Sequence, residues 1–142
     1  MKLFVFTDGG SRGNPGPSAI GGVILQDAKD GAVIADFSEY LGEGTNNEAE
    51  YKGLLHSLEL VQTFFAEHPE VDECAWHLDS KLVVEQINKN WKIKEPRMRV
   101  FAEKCWSILS TFPFKKTIMY VPRAQNAVAD SLVNQALDAH QL

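Results

Sequence analysis

The chain has 142 residues, enough for one domain with a real core and too few for two. Its 44% hydrophobic and 23% charged content is that of a soluble globular protein, and no stretch approaches the ~18 apolar residues of a membrane span. A formal charge of −5 argues against a generally basic nucleic-acid binder, but leaves room for a local cationic strip or an acidic site that takes up cations.

In chain order, residues 2–7 (KLFVFT) form an apolar run suited to a strand covered on both faces. Residues 19–26 and 32–41 flank the turn-rich DAKDG and predict a hairpin. A helix is expected over 46–66, a strand over 73–78 and a helix over 80–89. Helix 96–111, strand 115–121 and helix 125–139 complete the series. Three strands followed by alternating strands and helices predict one α/β domain over 1–142, built on a mixed sheet flanked by helices. MKLFVF is too short for a secretory signal. Cys74 and Cys105 lie in apolar surroundings and read as reduced core residues, so a cytoplasmic location is expected.

Two of the expected strands stop on aspartate: Asp8 after KLFVFT, and Asp79 in HLDS. Functional groups in such sheets gather beyond the carboxyl ends of strands. Taken singly, each also reads as a turn or helix-cap residue. The 46–66 helix adds a third acid. Leu54, Leu58, Val61 and Phe65 share its buried stripe, and Glu50 lies within about 40° of the stripe's centre. A carboxylate turned inward must be paired, protonated or bound to a cation. Glu48 points elsewhere and, with Thr45, fits a capping box. On the last helix Asp130 sits at the edge of the buried stripe, one turn after Asn126. Four carboxylates without His or Cys ligands suit a hard cation such as Mg²⁺ or Mn²⁺, and a pair of such ions is a known device of phosphoryl transfer.

DGGSRGNPGP, TNNEAEY, LDSKLVVEQI and VPRAQNAVADSL, in this order, resemble type I ribonuclease H over about residues 2–138. The resemblance implies a five-stranded mixed sheet with the first three strands antiparallel. It also implies metal-dependent cleavage of the RNA strand in RNA·DNA hybrids, leaving 5′-phosphate and 3′-hydroxyl ends. The catalytic and metal-binding acids it implies are Asp8, Glu50, Asp79 and Asp130, with two Mg²⁺ or Mn²⁺ ions per site. Implied substrate contacts are Gly9, Gly10, Ser11, Asn14, Thr45, Asn46, Asn47, Lys81 and Asn126. The glycines beside Asp8 would let the polymer backbone approach.

The pattern departs in two places. The family's usual His, ten residues before the last Asp, is Tyr120 here, with Arg123 on the same loop as a candidate substitute. A Gln common after the DS motif is Lys81. No basic insertion and no separate hybrid-binding domain are visible, but Lys89, Lys92, Lys94, Arg97 and Arg99 surround Trp91 and form a candidate grip for the DNA strand. The expected protein is a monomeric endonuclease. The alternatives are a weak or inactive hybrid-binding domain and a nuclease that also acts on double-stranded RNA.

Overall fold

The computed structural model describes residues 1–141. Its five-stranded sheet has the order β3-β2-β1-β4-β5. The strands are β1 (Lys2–Ser11), β2 (Gly16–Gln26), β3 (Val33–Gly44), β4 (Glu73–Leu78) and β5 (Lys115–Tyr120). The helices are α1 (Asn46–Glu67), α2 (Lys81–Ile87), α3 (Pro96–Leu109) and α4 (Ala127–His140), with a 3₁₀ turn at Arg123–Asn126. The first three strands are antiparallel, while β4 pairs parallel with both β1 and β5.

The central strand β1 is covered on both faces, which is why its first half reads as an unbroken apolar run. Leu3 and Val5 join Leu54, Leu58 and Val61 of α1 and Trp76 of β4 in the main core. Phe6, Val23 and Leu25 face the other way and pack with Ala129 of α4. Both cysteines are buried and unpaired. No helix among the described residues is long and apolar enough to cross a membrane.

The sequence reading needs correcting at the end of β1. β1 does not end at Thr7: Gly9, Gly10 and Ser11 continue it and pair with Ile20, Ala19 and Ser18 of β2. Only the parallel partner stops early, since the last β1–β4 pair is Phe6–His77. Two residues further along each strand lie Asp8 and Asp79, so β1 runs on past the point where β4 turns away into α2. On the far side of β4, Leu78 pairs with Tyr120 and accepts a hydrogen bond from the Val121 N–H at 2.8 Å. That brings the 121–126 segment to the same end of the sheet.

Candidate active site

Asp8, Glu50 and Asp79 converge. One carboxylate oxygen from each lies within 4.8 Å of the other two. Asp8 comes from the extended β1, Asp79 from the turn after β4, and Glu50 from the first turns of α1. What brings Glu50 so close is the seating of α1 on β1. An ideal Cβ at Gly9 would overlap the Ala49 carbonyl, and one at Gly53 would lie 2.7 Å from the Asp8 carbonyl oxygen. Two missing side chains, one on each element, let the helix lie almost backbone to backbone on the strand.

Asp8 and Glu50 are buried. Among the described residues no Lys or Arg pairs with any of the three acids; the nearest ion pairs are Glu48 with Arg97 and Asp130 with Arg123. Burial, reinforced by the charge on Asp79, pushes the Asp8 carboxyl up to about 6. Burial, with Asp8 and Asp79 close by, pushes Glu50 well above the ordinary glutamate range. Glu50 Oε2 is buried without a hydrogen-bond partner. A cluster of hard oxygen donors that holds one orphaned acceptor and excludes basic side chains fits a divalent cation.

Asp130 is not part of this trio. It lines the same cleft, of about 490 Å³, from α4, but its side chain is engaged locally. Its Oδ1 accepts from Arg123 Nη2 at 3.4 Å and its Oδ2 from Asn134 Nδ2 at 3.5 Å. Tyr120 and Arg123 line the cleft as well.

The remaining candidates divide sharply. Thr45 caps α1, its hydroxyl accepting the Glu48 N–H at 3.2 Å. Glu48 does not return the bond to close a capping box; its buried carboxylate takes Arg97 at 2.9 Å and ties α1 to α3. The Ser11 N–H donates to Asn46 Oδ1 at 2.9 Å, and the Asn46 N–H donates to Asn14 Oδ1 at 3.1 Å, locking the β1–β2 turn onto the start of α1. Gly10 lines the cleft, while Asn47 and Lys81 are exposed at the first turns of α1 and α2.

Two of the expected substrate contacts also hold the fold together. Gly9 lines the cleft and also gives α1 its close seat on β1, and its N–H donates to Asp8 Oδ1 at 2.9 Å. Asn126 is 1% exposed, and its Nδ2 donates to the Thr7 carbonyl at 3.0 Å, so it fastens the turn before α4 to β1. Trp91 is 45% exposed in a separate hollow with Lys89, Lys92 and Trp106. Three of the five cations around it are occupied: Arg97 by Glu48, Arg99 by Glu103, and Lys89 over the Trp106 ring. Sequence reasoning missed Arg12. The available signal was that Arg12 is the one charged residue between Asp8 and Asp27.

A sequence profile of the reverse transcriptase-like family matches residues 6–136. The ribonuclease HI of Halobacterium salinarum is 36% identical over 137 residues, which span 96% of this chain and 65% of that protein. LC11-RNase H1, isolated from compost by a metagenomic approach, superimposes with a TM-score of 0.90 at 38% identity over 99% of both chains. The RNase H1 structure from H. salinarum gives a TM-score of 0.87 at 36% identity, over 98% of this chain and 99% of that one. The chain belongs to the ribonuclease H family. A second structure of LC11-RNase H1 holds an RNA/DNA hybrid. A bifunctional protein of Mycobacterium tuberculosis is 40% identical over 139 residues, and there the ribonuclease H chain described here spans only 36% of the relative's length.

The acid cluster of this ribonuclease H domain makes a measurable demand on its stability. The unfolded chain releases the Asp8 proton near 3.8, and the folded chain holds it to about 6. Between those values the folded state binds more protons, so this contribution to stability falls as pH rises and levels off above about 6. His77, buried and held below its ordinary value mainly by burial, gives the opposite slope. The difference between wild type and Asp8→Asn isolates the carboxylate. In EDTA, the gain in melting temperature from Asp8→Asn is expected to be larger at pH 7.5 than at pH 4.5. Adding Mg²⁺ at pH 7.5 raises the melting temperature of wild type and not of the variant. Equal responses of the two proteins to Mg²⁺ would exclude a cation site at Asp8.

Proposed function

We propose that this chain is a ribonuclease H that hydrolyses the RNA strand of RNA·DNA hybrids, leaving a 5′-phosphate and a 3′-hydroxyl. The observation that carries the reading is the gathering of Asp8, Glu50 and Asp79 oxygens within 4.8 Å of one another in an open cleft, without a basic partner.

Asp8, Glu50 and Asp79 would hold one divalent cation, and Asp8 with Asp130 a second, with Mg²⁺ or Mn²⁺ matching the all-oxygen donor set. When bound, such ions supply the Lewis acidity that phosphodiester hydrolysis needs at the attacking water and the leaving oxygen. The rest falls to the protein. Asp8 sits beyond the end of the β1–β4 ladder, where the cleft is open to a polymer. Ser11, Asn14 and Asn46 are pre-ordered by their mutual hydrogen bonds and present a polar edge to a minor groove that displays 2′-hydroxyls. Asn47 and Lys81 flank that edge from α1 and α2. Trp91 with Lys92 offers the DNA strand a stacking surface beside a cation. Arg123 competes for Asp130, so releasing this acid frees a guanidinium at the rim where a phosphate arrives.

The test uses a labelled RNA·DNA hybrid, duplex RNA and duplex DNA, each with Mg²⁺, Mn²⁺ or EDTA. Cleavage of the RNA strand of the hybrid, abolished by EDTA, is expected. Comparable cutting of duplex RNA would widen the substrate class, and hybrid binding without cutting would replace the hydrolase with a binding domain.

A further inference from the structure

Arg12 lies in the turn between β1 and β2 and lines the cleft that holds the acids. An arginine in such a place is ordinarily a hand for phosphate. This guanidinium is already engaged. Its Nη1 donates to Gln141 Oε1 at 2.7 Å, and its Nη2 donates to Asn134 Oδ1 at 3.2 Å and pairs with Asp138 Oδ1 at 2.7 Å. Asn134 and Asp138 are α4 residues and Gln141 is the residue that ends the helix.

Asn134 passes the constraint on. Its amide nitrogen donates to the Asp130 carbonyl at 3.1 Å and lies 3.5 Å from the Asp130 carboxylate. A carboxamide has one accepting end and one donating end. Arg12 holds the oxygen end and Asp130 accepts from the nitrogen end, so the amide is fixed from both sides. Without Arg12 the oxygen end loses its donor, and only the two Asp130 acceptors still hold the amide. The same turn is bound on its other side to α1 through Ser11, Asn14 and Asn46.

We propose that Arg12 is a positioning residue: acting through Asn134, it fixes the orientation of Asp130, and through its turn it sets that acid in register with the helix that carries Glu50. The inference rests on the hydrolase reading for its kinetic consequence. Its value lies in orientation rather than in stability, because Arg12 and Asp138 are partly exposed, at 33% and 68%.

The experiment compares wild type with Arg12→Ala, Arg12→Lys and Asp138→Asn. Hybrid cleavage is followed as kcat and KM, and hybrid affinity against salt is measured in the Asp8→Asn background. Solvent exchange of the Asn134 side-chain amide is followed by ¹⁵N NMR. Arg12→Ala is expected to lower kcat about tenfold with KM and the salt slope unchanged, and to speed Asn134 amide exchange. Asp138→Asn moves kcat and exchange in the same direction by less, and Arg12→Lys recovers part of both. A phosphate-binding Arg12 predicts the reverse pattern: a raised KM, a salt slope reduced by about one, and tighter hybrid binding in Asp138→Asn, where the guanidinium is freed. That pattern, or an unchanged kcat and amide signal in Arg12→Ala, overturns the proposal. Should Arg12→Ala fail to fold, Asp138→Asn and Arg12→Lys decide between the same two patterns. The amide signal needs no turnover, so it judges the coupling even where the hydrolase reading fails.

Discussion

Asp8→Asn is expected to reduce hybrid cleavage by a factor on the order of 10³ while making the metal-free protein harder to melt. The two effects share one cause. Asn keeps the shape of Asp and can still accept the Gly9 N–H, so the strand and the helix above it have no reason to move. What disappears is a buried negative charge beside Glu50 and Asp79. Without cations that charge opposes folding by about 1–3 kcal/mol, in line with a carboxyl held up to about 6. A bound cation would offset it. Single-turnover cleavage and thermal melting in EDTA and in Mg²⁺ test both halves. Retained cleavage would remove Asp8 from the chemistry, and a lower melting temperature in EDTA would show that the cluster is not electrostatically strained.

Gly9→Ala carries the second large effect, and here stability and activity fall together. A methyl group at this position meets backbone on α1: the Ala49 carbonyl, and the Glu50 nitrogen at 2.6 Å. Backbone atoms of a packed helix cannot step aside as a side-chain tip can, so the start of α1 must withdraw from β1. The cost is expected at about 2–4 kcal/mol of stability, measured by denaturant titration. Withdrawal also carries Glu50 away from Asp8, and a displacement near 1 Å is enough to cost about 100-fold in turnover. Gly10→Ala is the control for stability, since the nearest atoms to its added carbon are 3.8 Å and 3.9 Å away. Equal stability of the two variants would mean that α1 does not depend on the Gly9 contact for its seat.

These two positions also mark how far the sequence could be read. Glu50 was legible because a helix has a period: a carboxylate on the same stripe as Leu54, Leu58 and Val61 contradicts the pattern around it. Asp79 was legible because β4 ends cleanly at Leu78. The second role of Gly9 was not legible. Glycine is depleted in strands for reasons of local entropy, so the strand was expected to stop at Thr7. The reason for glycine here is a helix that packs on the strand from some forty residues further along, and no local rule contains it. The anchoring role of Asn126 was hidden for the same reason, since its partner is the Thr7 carbonyl, 119 residues away. Glu48 was half legible: the cap donor is local, but Arg97, which claims its carboxylate, is 49 residues distant. The five-stranded mixed sheet and the gathering of Asp8, Glu50 and Asp79 were expected from the motifs, while the individual long-range partners of Gly9, Glu48 and Asn126 were not.

The early stop of β4 beside a longer β1 has one more consequence. The strand pair that positions Asp8 and Asp79 joins segments roughly 70 residues apart in the chain, so it closes against a large loop entropy. Glu50 joins the cluster only when α1 docks. On the proposed reading, a refolding chain would gain affinity for a divalent ion at this locus only once distant segments have met. Cation uptake can serve as a clock for the completion of the tertiary structure, read by rapid mixing with a luminescent lanthanide.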